Sequence, residues 1–226
     1  MPGVAVLLRK MDEGVAEVGA HYQADLASHV LSDELLYAIL QVVRDARSAF
    51  EWTATAIKNK YVPGGKWTPY FPFIADATKF ADEIENRMTG LTAASPRIVV
   101  AIERHQPFQP GYAELGYLPE LQKVNNHRDF TAQTRTETPQ VEVRTAGAGA
   151  IRWSGNIRFA GNVSIQGVPI DPLTQLPVPH PSQTVTKTVY VHWRFEDLDV
   201  PVLPTLLAIA QQTRAAVEDI RQAGGL

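Results

Sequence analysis

The chain contains no cysteine among its 226 residues. This absence excludes disulfide bonds, thiol nucleophiles and cysteine-ligated zinc, so packing alone must hold the fold. The sequence also lacks an apolar run approaching the roughly 20 residues of a membrane-spanning helix. Near the N-terminus a basic pair follows a short apolar run, which reverses the order found in a signal peptide. We therefore expect a soluble, cytoplasmic protein without a membrane partner.

The chain also lacks an excess of charge of one sign. Lys and Arg number 21 against 24 Asp and Glu, and the formal net charge is -3. Such a balance gives no global attraction for nucleic acid, so binding of an acidic partner would need a local patch. The six histidines show no metal-ligand spacing, and no nucleophile elbow, phosphate loop or dinucleotide fingerprint is present. We therefore assign no catalytic residue, no metal and no cofactor.

Apolar residues recurring every three or four positions predict helices through most of residues 1–131. Ser32, followed by two acidic residues, is a typical N-cap for a long helix from Asp33 to Lys60. Residues 4–29 contain Gly14 and Gly19, so we expect one broken helix or two short ones there. Further helices are predicted at residues 75–88, 95–104 and 118–131, and an aromatic loop at 67–73 is expected to pack over the core.

After Thr138 the periodicity changes to two, which predicts an antiparallel sheet with hairpin turns at glycines. Residues 168–181 are rich in proline and are expected to form a long surface loop between strands. A last apolar stripe predicts a helix at residues 201–222 that covers one face of the sheet. The fold class is therefore α+β, with a helical domain at 1–131 and a sheet domain with a C-terminal helix at 132–226, or one continuous domain. The positions expected to face the core of the sheet are Val141, Val143, Ile151, Trp153, Ile157 and Phe159.

The first candidate site lies where two predicted helices meet. Arg47 falls within the apolar stripe of its helix, and a buried guanidinium needs a partner because it does not deprotonate. The partner candidates are Glu51 on the same helix and Asn125 and Asp129 on the helix at 118–131. A structural ion pair that joins the two helices is one interpretation. The other is an anion or nucleotide pocket, with the ligand-binding residues Arg44, Arg47, Asn125, Arg128 and Asp129.

The second candidate site is the face of the sheet opposite its core. Strand alternation predicts a basic and partly aromatic face there. Such a face can bind RNA or another acidic ligand, because arginines bind phosphates and a tyrosine can stack on a base. A solvated outer face of an antiparallel sheet has a similar composition, so this interpretation stays open. The residues of this face are Arg144, Arg152, Arg158, Tyr190, His192 and Arg194.

Four short segments resemble motifs of an uncharacterised bacterial family, over roughly residues 35–130. They are Arg44-Asp-Ala-Arg-Ser-Ala-Phe-Glu-Trp52, Phe71-Pro-Phe73, Ile102-Glu-Arg-His-Gln-Pro-Phe108 and Leu118 to Arg128. They are similar to that family's Asn-Leu-Arg-Ser-Ala-Leu-Asp-His helix, Phe-Pro-Ile segment, Leu-Gln-Pro-Tyr segment and Asn-Ile-Asp-Lys-His-Arg helix. Trp52 replaces the family's first-helix histidine, and Asn125-Asn126 replaces its Asp-Lys, which weakens a catalytic role at those positions.

A more distant resemblance is to the HEPN class of helical, nucleic-acid-associated domains. Its ribonucleases carry an arginine four to six residues before a histidine, and this sequence has no such pair. We therefore expect a bacterial binding or regulatory protein without catalysis that recognises RNA or another acidic ligand. One alternative is a HEPN-like nucleic-acid hydrolase with His127 as general base and Arg128 or Arg47 stabilising phosphate charge. Another is a phage-related structural or assembly protein that forms homo-oligomers through its long loops.

Overall fold

The computed structural model describes residues 2–65, 67, 70–127, 133–154 and 157–226. The fold is α+β, with helices in the N-terminal part, a curled antiparallel sheet and a C-terminal helix, as the sequence predicts. The chain divides into a helical unit, made of Met1–Thr134 and Arg194–Leu226, and a sheet unit, Arg135–Trp193. None of the helices in the described residues is long and apolar enough to cross a membrane.

The helical unit is built around two long N-terminal helices that pack along each other. Its helices are α1 (Pro2–Ser28), α2 (Asp33–Tyr61), α3 (Phe80–Arg87), α4 (Leu91–Ala94), α5 (Pro96–Arg104), α6 (Leu118–His127) and α7 (Val202–Gly224). Two 3-10 helices, Ala77–Lys79 and Ala113–Tyr117, precede α3 and α6.

The start of α2 confirms the predicted N-cap. Ser32 Oγ accepts a hydrogen bond of 3.2 Å from the amide of Leu35, and Ser32 itself donates from its amide and hydroxyl to the buried carboxylate of Asp25. Asp25 lies near the end of α1, so this network fixes the turn between the two helices. The predicted stripe of α2, from Ile39 to Ile57, is buried in the core of the unit.

Helix α1 differs from its prediction, because it is one continuous helix instead of one broken helix or two short ones. Its apolar face, including Leu8 and Met11, is buried, and packing against α2 and α7 outweighs the low helix propensity of glycine. Gly14 lies at the crossing with α2, where an added Cβ would be 2.9 Å from Cγ2 of Val42. The glycine thus permits a close helix approach that a larger residue would obstruct.

Helix α7 packs against α1, α2 and α5 within the helical unit, whereas the sequence analysis assigned it to the sheet domain. Its C-terminal carbonyls accept hydrogen bonds from the end of α2. Lys60 Nζ donates to the carbonyl of Gly224 at 3.0 Å, and the Tyr61 hydroxyl donates to the same carbonyl at 2.8 Å. These bonds satisfy carbonyls that a helix end leaves without intrahelical partners.

The aromatic loop packs over the core, as predicted. The ring centroids of Phe50 and Phe71 lie 4.5 Å apart, and Trp67 is buried. Gln106, fully buried, accepts a hydrogen bond of 2.8 Å from the amide of Ile74 and donates to the carbonyl of Ile102 at 3.2 Å. This side chain connects the loop to the end of α5.

The sheet unit begins with an antiparallel hairpin. The strands of the chain are β1 (Gln133–Thr145), β2 (Gly149–Ser154), β3 (Ser164–Ile165), β4 (Val168–Asp171), β5 (Leu176–Pro177), β6 (Gln183–Phe195) and β7 (Val200–Pro201). They form one sheet in the order β2-β1-β6-β7 and a smaller one in the order β3-β4-β5. Val141 pairs with Trp153 in the hairpin, and both are buried with Ile165 and Ile170 in the core of the unit.

Two predictions for the sheet are wrong. Ile151 and Ile157 are 41% and 49% exposed, so of the predicted core positions in β2 only Trp153 is buried, and Ile157 lies beyond the strand. The proline-rich segment is not a long loop, because it contains β4 and β5. Pro169 takes part in the pairing through its carbonyl, which accepts a hydrogen bond from the amide of Val178.

Candidate functional site

The predicted site in the helical unit centres on Arg47, whose side chain is 12% exposed. Its Nε donates a hydrogen bond of 2.9 Å to Oε1 of Glu51, one turn later on α2. Its guanidinium carbon lies 5.1 Å from the centroid of the Phe73 ring, a cation–π geometry. The expectation of an acidic partner is confirmed for Glu51, and the pair leaves little unbalanced charge at this position.

The remaining members of that predicted site are only partly described. Arg44, almost one turn before Arg47, is exposed. Helix α6 packs against α2, as expected. The side chain of Asn125 lies outside the described residues, as do Arg128 and Asp129. The anion pocket between these helices therefore stays a prediction, with Arg44 as its exposed cation.

On the sheet, Arg144 and Arg152 are brought together by an acidic residue. Both donate to the carboxylate of Glu142, which occupies the same face of the hairpin. The hydrogen bond from Arg152, followed by that from Arg144, holds the pKa of the Glu142 carboxyl below its ordinary value. This part of the predicted basic face is therefore a charge-balanced cluster, and Glu142 was overlooked although strand alternation places it beside Arg144.

The other residues of the predicted face are dispersed. Arg158 is exposed and lies in the segment between β2 and β3, and His192 is half-buried on β6. Arg194 belongs to the helical unit, where its Nε donates to Oδ1 of Asp199 at 2.8 Å. The side chain of Tyr190 lies outside the described residues.

A groove of about 680 Å³ opens on the sheet unit between the proline-rich segment and β6. One wall is formed by the segment from Leu176 to Pro181, and the other by alternate residues of β6. Val185 is 37% exposed on the β6 wall. The lining residues are Leu176, Pro177, Pro179, His180, Pro181, Gln183, Val185 and Lys187.

The groove combines apolar walls with a cation. Lys187 is exposed on β6, and it forms no ion pair within the described residues. His180 contributes a second titratable group, whose Nδ1 lies 2.7 Å from Oγ of Ser182. None of the lining residues in the described part of the chain is acidic. Apolar walls with a few polar groups are typical of ligand sites, so this groove can hold an apolar group whose neighbour carries negative charge.

The helical unit contains a histidine–aspartate pair, a combination of side chains that also occurs in catalytic dyads. His105 is buried at the end of α5, and its Nε2 lies 2.9 Å from Oδ2 of Asp219 on α7. Nη1 of Arg104 donates to the same oxygen at 3.1 Å. The opposite nitrogen, Nδ1 of His105, is buried and has no hydrogen-bond partner in the described part of the chain. The pair therefore connects the end of α5 with α7.

Within the described residues, no group of three histidine, aspartate or glutamate side chains is placed to hold a metal ion. No family model, curated protein sequence or solved structure matches the chain. The resemblance to a helical bacterial family or to HEPN domains therefore stays a prediction.

The sequence analysis missed the groove, although a signal for it exists. Between Asp171 and Glu196 the sequence contains no acidic residue. In a chain with more acidic than basic residues, a long interval without carboxylates that includes Lys187 indicates a surface suited to anions. The prolines of residues 168–181 predicted a surface loop, so these residues were not expected to form strands beside a groove.

Proposed function

We propose that this protein is a non-catalytic binding protein whose sheet unit recognises an acidic ligand. The observation that carries this function is the groove beside β6, which is apolar and open, has no carboxylate among its described lining residues and has Lys187 at its wall. A negatively charged ligand gains an attraction from this lysine without a competing internal carboxylate. Apolar parts of the same ligand gain from burial against the prolines and Val185.

Charge balance favours this groove over the paired arginines of the two sites predicted from sequence. Arg47 donates to Glu51, and Arg144 and Arg152 share Glu142. An incoming anion must compete with those carboxylates, which costs interaction energy and weakens binding. Lys187 has no carboxylate partner among the described residues, so an anion can approach it without displacing one.

Single-stranded RNA is the second acidic ligand to consider. RNA binding without sequence preference uses a cationic groove together with aromatic side chains on which bases stack. Among the residues that the structure describes, the groove is lined by prolines, leucine and valine and by no phenylalanine, tyrosine or tryptophan. An acidic ligand with aliphatic groups therefore fits the groove better than RNA.

The function is tested by fluorescence anisotropy with two labelled probes, poly-glutamate and single-stranded RNA. Each is titrated with the full chain at about 10 mM and about 150 mM salt, because screening of charge differs strongly between these conditions. We expect poly-glutamate to bind at low salt and to lose affinity at the higher salt. Lys187→Glu should weaken that binding at least about tenfold, which corresponds to about 1.4 kcal/mol.

Arg44→Glu is the matched control, since it reverses one exposed cation in the helical unit. It should leave poly-glutamate binding within about twofold of the wild-type value, because Arg44 is not one of the residues that line the groove. Failure of both probes to bind at low salt would contradict an anion-binding function. A loss caused by Arg44→Glu alone would move the site to the helical unit.

A further inference from the structure

We propose that the partner of the groove is an extended acidic peptide, which adds as a strand to the open edge of β6 and places alternate apolar side chains in the groove. This proposal rests on the function proposed above and specifies which acidic ligand the groove binds. It differs from a free anion because the peptide backbone itself takes part in binding.

The edge of β6 is open over most of its length. The strand runs from Gln183 to Phe195, with β1 as its neighbour on one side. Its other neighbour, β7, pairs only with Arg194 and Phe195. Within the described residues, the stretch from Gln183 to His192 has no strand on that second side. In an antiparallel strand about every second residue directs its amide and carbonyl towards such an edge, so they can bind an added strand.

Accessibility supports strand addition at the same place. Residues Thr184, Val185, Thr186 and Lys187 are all exposed, so both faces of this part of β6 are open to solvent. Threonine and valine favour extended backbone, which keeps the edge ready for pairing. A peptide of about seven residues, at about 3.3 Å per residue, would pair along most of the open stretch, including the part from Gln183 to Lys187.

The groove supplies the specificity that backbone pairing lacks. Gln183, Val185 and Lys187 are separated by two positions and share one face of β6, where they line the groove. An added strand also directs every second side chain to that face. Apolar side chains of the peptide would then contact Val185, Leu176 and Pro177, and a neighbouring carboxylate would approach Lys187.

Charge complementarity identifies the occupant as an acidic peptide. The interval from Pro172 to Phe195 has no aspartate or glutamate, while Lys187 is exposed within it. A second copy of this chain would bring another β6, with its own lysine and no carboxylate, to the edge. Lysine on an edge strand opposes such self-pairing. Carboxylates on a partner strand instead meet the cation that the edge presents.

The decisive probe is a fluorescein-labelled peptide that alternates valine with glutamate or aspartate over about seven residues. It is compared with poly-glutamate, with a peptide carrying lysine at the acidic positions, and with two peptides N-methylated on alternate residues. N-methylation removes backbone donors on one edge of the peptide while keeping its charge and side chains. We expect the valine–acid peptide to bind at least about tenfold more tightly than poly-glutamate, and one N-methylated form to lose at least about tenfold in affinity. The other should retain binding, because an added strand pairs through one edge only.

The protein is unchanged in these comparisons, so misfolding of a variant cannot cause the result. Val185→Asp provides a second readout, since it adds a carboxylate to the groove and should weaken the valine–acid peptide at least about tenfold, with unchanged circular dichroism. Equal binding of poly-glutamate and all peptide forms would overturn strand addition while leaving the anion-binding function intact. Binding of none of the acidic probes would overturn both. Preferential binding of the lysine peptide or of RNA would also contradict an acidic peptide partner.

Discussion

Arg47 confirms that a cation within the apolar stripe of a helix needs an acidic partner. Its partial burial requires a partner, and Glu51 on the same helix provides it. The Phe73 ring covers the other side of the guanidinium. Since Glu51 is 29% exposed, the pair is less deeply buried than the ion pairs whose disruption costs about 3–5 kcal/mol. We assign Arg47 a structural role that attaches the aromatic loop to α2.

Replacing Arg47 should therefore destabilise the protein moderately. We expect Arg47→Ala to lower the free energy of unfolding by about 1–3 kcal/mol, because Glu51 loses its partner and Phe73 loses a packed neighbour. Urea denaturation of the full chain measures this change. Arg47→Lys should recover part of it, since lysine restores charge but not the planar stacking. The exposed Arg44→Ala should change it by less than about 0.5 kcal/mol, and an unchanged Arg47→Ala protein would refute the structural role.

At the scale of elements, α1 and the proline-rich segment show where sequence patterns fail. Helix α2 was predictable because its N-cap and apolar stripe agree. Helix α1 was not, because local propensity counted Gly14 and Gly19 as breaks, whereas tertiary packing decides. The strands β4 and β5 were hidden by prolines, whose tolerated positions depend on pairing that only the fold defines.

The two glycines of α1 should respond differently to substitution. An added Cβ at Gly19 meets nothing within 4 Å, so Gly19→Ala should stabilise the protein by about 0.5–1 kcal/mol through helix propensity. At Gly14 the added Cβ would lie 2.9 Å from Val42, so Gly14→Leu should destabilise it by about 1–3 kcal/mol. Paired thermal melts measure both changes. Equal effects at the two positions would contradict the close crossing of α1 and α2.

The candidate site was only partly predictable for a related reason. Alternation correctly placed Arg144 and Arg152 on one face, but the same rule also places Glu142 there, and the cluster is balanced. The groove depends on the approach of residues 176–181 to β6, which periodicity cannot provide. Only the absence of acidic residues between Asp171 and Glu196 was available from the sequence.

At the scale of the whole molecule, the two units have different sources of stability. The helical unit buries the long apolar stripes of α1, α2 and α7, while the sheet unit has a small core around Trp153. The sheet unit also contains two carboxyls whose pKa lies below its ordinary value. These are Glu142, through the Arg152 and Arg144 hydrogen bonds, and Asp171, chiefly through the amide of Leu173.

The sheet unit should consequently lose stability in acid. Both carboxyls have a lower pKa in the folded state than in the unfolded state. Their ionised forms therefore stabilise the fold fully at pH values above the unfolded pKa of about 4. This stabilisation is lost as the pH falls through the lower folded pKa values. Urea titrations between about pH 6 and pH 3, followed by the NMR signal of the Trp153 indole, measure this loss. Glu142→Gln should flatten the pH dependence, whereas the exposed Glu196→Gln should not. An unchanged slope in Glu142→Gln would contradict the role of the arginine cluster.

The central claim is that the sheet unit binds an acidic partner at the groove and edge of β6. The most direct measurement is a backbone amide NMR titration of the full chain with the valine–acid peptide. We predict that the largest chemical-shift changes occur from Gln183 to Lys187 and at the non-proline residues between Leu176 and Ser182. Changes concentrated on α2 around Arg44 and Arg47, or no changes at saturating peptide, would contradict the claim.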